Sequence, residues 1–123
     1  MQEGTGKRVL IVSDDRAEID TTCRMLHGQD LQVCAVSSVE AVLPTAREFR
    51  PDAVLLDVKV EGQSTTYLAR ALRKEPMFVG SILIAVTTDE DDECRRRLAG
   101  AGFDHMLTRP LAAADLLAAI TSR

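Results

Sequence analysis

Five predominantly apolar runs, most of them rich in Val, Ile and Leu, recur at nearly regular intervals along this chain. Each interval has room for one helix and two short loops, the length that a crossover between parallel strands needs. Because the runs do not alternate with polar residues, they are typical of strands covered on both faces. They lie at Val9–Val12, Leu31–Val36, Ala53–Leu56, Ile82–Val86 and Phe103–Leu107.

Helical patterns fill the intervals, so the chain predicts an α/β fold. We expect a doubly wound, five-stranded parallel sheet in the order 2-1-3-4-5, with helices on both faces. Residues 1–7 are predicted to be a flexible N-terminal segment, and residues 8–123 a single domain. Within the second helix, Ser37-x-x-Glu40 predicts a capping box, and Pro44 predicts a kink or a shortened helix. Thr88 is the predicted N-cap of the fourth helix.

Composition excludes several classes of function. The net charge is −4 and aromatic residues make up 3% of the chain, so direct nucleic-acid binding is not expected. The cysteines form no CxxC pair, which argues against zinc and redox sites and favours free thiols in a reducing compartment. The N-terminus lacks the apolar stretch of a signal peptide, and no apolar run is long enough for a bilayer. We therefore expect a cytoplasmic protein without membrane contact.

Polar residues cluster at the predicted carboxyl ends of the strands, where sites form in doubly wound sheets. Asp14 and Asp15 follow the first strand, Asp57 ends the third, Thr87 ends the fourth and Arg109 follows the fifth. In the predicted strand order these positions meet at one edge. Neighbouring carboxylates favour Mg²⁺, which prefers oxygen ligands. A carboxylate can also act as a nucleophile toward a phosphoryl group, with a cation neutralising the transferred charge.

From about residue 7 to 122, the chain resembles the receiver domain of bacterial two-component response regulators. The motifs that carry this resemblance occur in the right order and with the right spacing. They are VLIVSDD (9–15), DAVLLD (52–57), Gly62, ILIAVTT (82–88) and AGAGFDHMLTRPL (99–111). The resemblance implies a flavodoxin-like three-layer sandwich.

The resemblance also implies a role for each site residue. Asp57 matches the phosphoacceptor, which takes a phosphoryl group from a sensor histidine kinase or a phosphotransfer protein. Asp14 and the backbone carbonyl of Lys59 match Mg²⁺ ligands, together with Asp57. Asp15 is a further candidate ligand, although its position before the first helix also predicts an N-cap. Thr87 matches the switch hydroxyl, which moves toward the phosphoryl group.

Six positions depart from the family pattern, and three of them stand where the family usually has Pro, Asp and Gly after the acceptor: Glu61, Ser64 and Thr65. Ser13 stands where the family has its first acidic residue, so weaker Mg²⁺ binding is expected. Arg109 replaces a lysine, and its planar fork differs in geometry from a compact ammonium group. It precedes Pro110, whose preceding peptide is often cis in this family. Met106 stands at the switch position, which usually holds an aromatic residue or His; core packing is the simpler interpretation of this side chain.

Two functions therefore remain open. The first is a phosphoryl-accepting switch that passes its signal through the face formed by the fourth helix, fifth strand and last helix. The second is a degenerate pseudo-receiver, which binds proteins without efficient phosphorylation. Neither is an enzyme beyond self-catalysed phosphoryl transfer and dephosphorylation. The sequence does not identify the output partner, and it is compatible with a monomer or a weak homodimer, and with a stand-alone receiver or one domain of a larger regulator.

Overall fold

Strands and helices alternate along the chain, as the spacing of the apolar runs predicts. The computed structural model describes residues 6–122. In chain order its elements are β1 (Lys7–Val12), α1 (Arg16–Leu26), β2 (Leu31–Val36), α2 (Val39–Phe49), β3 (Ala53–Asp57), β4 (Lys59–Val60), β5 (Gln63–Ser64), α3 (Thr66–Lys74), a 3-10 turn (Pro76–Phe78), β6 (Ile82–Thr87), α4 (Asp92–Ala101), β7 (His105–Thr108) and α5 (Ala113–Ile120).

Five parallel strands form the main sheet in the order β2-β1-β3-β6-β7. This confirms the predicted order 2-1-3-4-5 and the flavodoxin-like, doubly wound fold. β3 and β6 lie in the interior of the sheet, and all of their residues are buried. Burial on both faces explains why these two strands are apolar without alternation.

Each face of the sheet has its own hydrophobic core. On one face, β3 residues Val54 and Leu56 pack with side chains from α2, α3 and α4. On the other face, Ala53 and Leu55 pack with side chains from α1 and α5. Because successive strand residues point to opposite faces, one apolar run supplies both cores. The carboxyl ends of the strands are thereby held at one edge, where the polar residues lie.

The starts of α2 and α4 differ from the prediction. The capping box is wrong, because α2 begins after Ser38, whose side chain makes no cap hydrogen bond. Instead, the Val39 N–H donates to Glu61 Oε1, at 3.4 Å, from the loop between β4 and β5. The α4 prediction is also wrong: its N-cap is Asp91, whose Oδ1 accepts from the Cys94 N–H at 2.7 Å. In both cases a side chain that the local pattern did not single out satisfies the exposed helical amide.

Pro44 does not shorten α2, which continues to Phe49. Pro44 is exposed, so the Glu40 carbonyl that loses its helical donor can bind water instead. The antiparallel hairpin of β4 and β5 was not predicted. Two-residue strands are too short to leave a hydrophobic pattern.

The ends of the chain lie partly outside the described residues. Most of the predicted flexible segment 1–7 is not described, and Lys7 is already the first residue of β1. The domain boundary at residue 8 stays a prediction. None of the helices between residues 6 and 122 has the length and apolar character that a bilayer crossing requires.

Candidate functional site

An ion pair between Asp57 and Arg109 lies at the centre of the site. Asp57 is the last residue of β3, and Arg109 follows β7 directly. Arg109 Nη2 donates to Asp57 Oδ2 at 2.6 Å. The Arg109 backbone is fixed in turn, because its N–H donates to the carbonyl of Thr87 at 2.9 Å. The structure thus brings together the predicted acceptor and the predicted cation.

Glu18, on the first turn of α1, is a site residue that the sequence pattern did not indicate. Its two carboxylate oxygens accept from Nε and Nη2 of Arg109, the second contact at 2.8 Å. The buried Ser13 donates its hydroxyl to Glu18 Oε1 at 3.2 Å. Ser13, Glu18, Arg109 and Asp57 therefore form one connected polar network. An acidic residue in a first helical turn is usually only a favourable dipole contact, so its position gave no signal.

Burial and hydrogen bonding shift the pKa values of the two partners. Desolvation raises the pKa of Asp57, the Arg109 hydrogen bond and charge oppose that rise, and the charge of Glu18 adds to it. The pKa of Arg109 is also raised, mainly by its hydrogen bond with Glu18. Both pKa values can be raised together because Arg109 has two acidic partners, whereas the buried Asp57 accepts only one N–H from Arg109. Arg109 stays charged, and the charge on Asp57 is costly.

A hairpin joins the loops that follow β1 and β3. Asp14 is exposed, and its Oδ2 accepts from the N–H of Glu61 at 2.6 Å. The Lys59 N–H approaches Asp57 Oδ1 at 3.5 Å. The buried Thr65, just after β5, donates its hydroxyl to the Asp57 carbonyl at 2.7 Å. These contacts place the Asp14 loop and the Asp57 loop at the same edge of the sheet.

The predicted metal ligands are all oxygen donors. Within residues 6–122, no three His, Cys, Asp or Glu side chains gather in an arrangement that could hold a metal ion. The predicted set instead consists of two carboxylates, from Asp14 and Asp57, and the Lys59 carbonyl. This set fits Mg²⁺, which takes few protein oxygens and keeps several waters.

The remaining predicted residues have local roles in the structure. Asp15 is the N-cap of α1, as predicted, and its Oδ1 accepts from the Ala17 and Glu18 amides at 3.0 and 3.2 Å. Its role as a metal ligand stays a prediction. Thr87 is buried, and its Oγ1 accepts from the Asp89 N–H at 3.0 Å. Met106 is half-buried and packs against the core on the α2–α4 side.

The topology and the site together define a class of protein: a doubly wound domain with a buried, cation-paired carboxylate at the carboxyl end of a central strand. Comparison with known families gives this class its name. The family model for the response regulator receiver domain matches residues 9–121. The chain belongs to this family. A receiver domain is a regulatory phosphoacceptor domain and not a classical enzyme. The peptide between Arg109 and Pro110 is cis, as the resemblance implied.

Known proteins are similar to almost the whole chain, in sequence or in fold. The transcriptional regulatory protein PrrA of Mycobacterium bovis is 34% identical over 119 residues, covering 94% of this chain and 49% of that protein. A putative response regulator from Chloroflexus aurantiacus has a TM-score of 0.87 at 24% identity, covering 97% of this chain and 100% of its own.

A further similar structure is the receiver domain of a sensor histidine kinase from Pseudomonas aeruginosa, solved with a magnesium ion in its active-site cleft. Its TM-score is 0.84 at 22% identity, covering 96% of this chain and 97% of its own. The chain spans about half the length of the curated relatives that it matches.

Proposed function

We propose that this chain is a phosphoryl-accepting switch of a two-component system, with Asp57 as the acceptor. The observation that carries the proposal is the Asp57 carboxylate itself, buried at the end of β3 with one oxygen on Arg109. The phosphoryl donor would be a sensor histidine kinase or a phosphotransfer protein. Membership of the receiver family supports this role, since receiver domains are phosphoacceptors.

Each site residue would have its own task in the transfer. Asp57 Oδ1 faces the Lys59 amide across 3.5 Å and is the oxygen that Arg109 does not contact. It is therefore the oxygen best placed to attack phosphorus. Arg109 remains charged beside it and can pair with a phosphoryl oxygen. Asp14, Asp57 and the Lys59 carbonyl would hold Mg²⁺, which when bound neutralises charge on the phosphoryl oxygens.

The signal would leave through Thr87 and the face formed by α4, β7 and α5. Thr87 lies opposite Thr108 in the pairing of β6 with β7, so movement of Thr87 acts directly on the last strand. We propose that phosphorylation shifts an existing two-state equilibrium of this face. An output protein, or a second copy in a weak homodimer, would bind there in the cytoplasm. Arg95–Arg97 are exposed on α4, where a partner would meet them.

The test of this proposal is phosphorylation by a small donor. After incubation with acetyl phosphate and Mg²⁺, the intact mass of the protein should increase by one phosphoryl group. Asp57→Asn should show no increase, because the amide is not a nucleophile, and Asp52→Asn serves as a matched control outside the site. An unchanged mass in the parent protein would refute the proposal.

A degenerate pseudo-receiver is the second candidate, and Ser13 is the observation that favours it. Ser13 brings no negative charge, and its hydroxyl is directed to Glu18. A pseudo-receiver should not respond to beryllofluoride, an analogue of the phosphoryl group, in the presence of Mg²⁺. We expect the opposite: amide chemical shifts near Thr87 should change, and they should not change in Asp57→Asn. Absence of these shifts in the parent would favour the pseudo-receiver.

A further inference from the structure

We propose that Glu18 is a positioning residue for phosphoryl transfer, which acts on Asp57 through Arg109. This inference rests on the proposed function of Asp57 as a phosphoacceptor. Its basis is the way the two residues meet: both oxygens of Glu18 engage the guanidinium fork of Arg109, at Nε and Nη2. This bidentate contact between Glu18 and Arg109 fixes the plane of the guanidinium as well as its position.

The bidentate contact determines which N–H groups of Arg109 can donate to Asp57. With Nε and Nη2 directed to Glu18, the Nη2 group also donates to Asp57 Oδ2 at 2.6 Å. Asp57 Oδ1 is left with the long Lys59 contact alone among the described residues. Glu18 thus keeps the cation on one oxygen of the acceptor and leaves the other oxygen available to attack.

Neighbouring hydrogen bonds and burial hold the bidentate contact in place. The Ser13 hydroxyl donates to Oε1, and the side chains of Glu18 and Arg109 are only 16% and 26% exposed. The backbone of Glu18 is fixed as well, because its N–H donates to the capping carboxylate of Asp15. Ser13 itself is uncharged, and Glu18 supplies a negative charge beside it.

Loss of the bidentate contact hinders phosphoryl transfer to Asp57 in either of two ways. A released guanidinium can turn both arms of its fork to Asp57 and occupy the attacking oxygen, or it can move toward solvent and leave the phosphoryl charge unpaired. In the transfer itself, a lone pair of Asp57 Oδ1 forms the new O–P bond. The O–P bond of acetyl phosphate breaks, and its electron pair leaves with acetate. Both outcomes of release raise the barrier to this step.

A double-mutant cycle tests this role. Intact mass spectrometry follows the rate of phosphorylation by acetyl phosphate and Mg²⁺ in the parent, Glu18→Gln, Arg109→Lys and the double variant. Glu18→Gln should be about tenfold slower than the parent, the value of one hydrogen-bond contribution to a barrier. Lysine has no planar guanidinium and cannot form the bidentate contact. Glu18→Gln in the Arg109→Lys background should therefore change the rate less than about twofold.

The outcomes separate the inference from the proposed function. Asp20→Asn, on an exposed position of the same helix, is the control and should leave the rate unchanged. If Glu18→Gln reacts as fast as the parent, or slows both backgrounds equally, Glu18 does not act through Arg109 and the inference fails alone. If the parent is not phosphorylated, the proposed function fails and the inference with it.

Discussion

Replacing Phe78 with alanine is expected to lower the free energy of unfolding by about 3–5 kcal/mol, the usual cost of removing a buried phenyl ring. Phe78 ends the 3-10 turn after α3 and is only 1% exposed. It belongs to the cluster in which α2, α3 and α4 pack on the sheet. Truncation removes apolar contacts and leaves a cavity that the surrounding helices can fill only in part.

Urea unfolding followed by circular dichroism measures this effect, and the next residue provides the control. Val79 is 77% exposed, so Val79→Ala should change stability by less than about 0.5 kcal/mol. The pair differs little in position along the chain and greatly in burial. A loss below about 1 kcal/mol for Phe78→Ala would mean that the turn is not part of the core.

The interior strands β1, β3 and β6 could be predicted from the sequence because burial on both faces leaves an unbroken apolar run. The four runs at Val9, Leu31, Ala53 and Ile82 each became a strand starting within two residues of that position. The fifth was predicted from Phe103 but begins at His105. Gly102 has a φ of 109°, and the Phe103 N–H donates to the Leu98 carbonyl, so these residues close α4 instead of opening β7.

The site could be predicted only as far as strand ends determine it. Asp57 and Arg109 meet because the carboxyl ends of β3 and β7 lie at the same edge of the sheet. Glu18 could not be found this way, because it reaches Arg109 from a helix and across 91 positions of sequence. The same holds for Glu61, which contacts the start of α2 from a hairpin too short to predict. Long side chains that bridge elements leave no local pattern.

Arg109→Ala is expected to lower the free energy of unfolding by about 2–3 kcal/mol at neutral pH. Removing one partner of a fully buried ion pair costs about 3–5 kcal/mol, and partial exposure of the Arg109 side chain reduces this value. The variant leaves Asp57 and Glu18 as neighbouring carboxylates without a cation between them. Arg96→Ala, at an exposed position of α4, should have almost no effect.

The cost of Arg109→Ala should depend on pH in a defined direction. In the parent, burial raises the pKa of Asp57, and Arg109 limits that rise. Without Arg109, desolvation and the charge of Glu18 raise the pKa of Asp57 further. Below about pH 4, Asp57 is protonated in both the folded and the unfolded chain, so its charge costs nothing. As the pH rises, the unfolded chain releases this proton first, and the folded state of the variant loses stability relative to the parent.

Urea unfolding of the parent and of Arg109→Ala at several pH values measures the difference. The gap in stability should be smallest near pH 4 and should widen toward neutrality. Arg109→Lys keeps the charge but not the bidentate contact with Glu18. Its free energy of unfolding should fall by less than about 1.5 kcal/mol, and this loss should depend less on pH than that of Arg109→Ala. A gap that stays constant across this pH range would show that Arg109 stabilises the fold by packing its side-chain stem, and not by holding two acidic residues together.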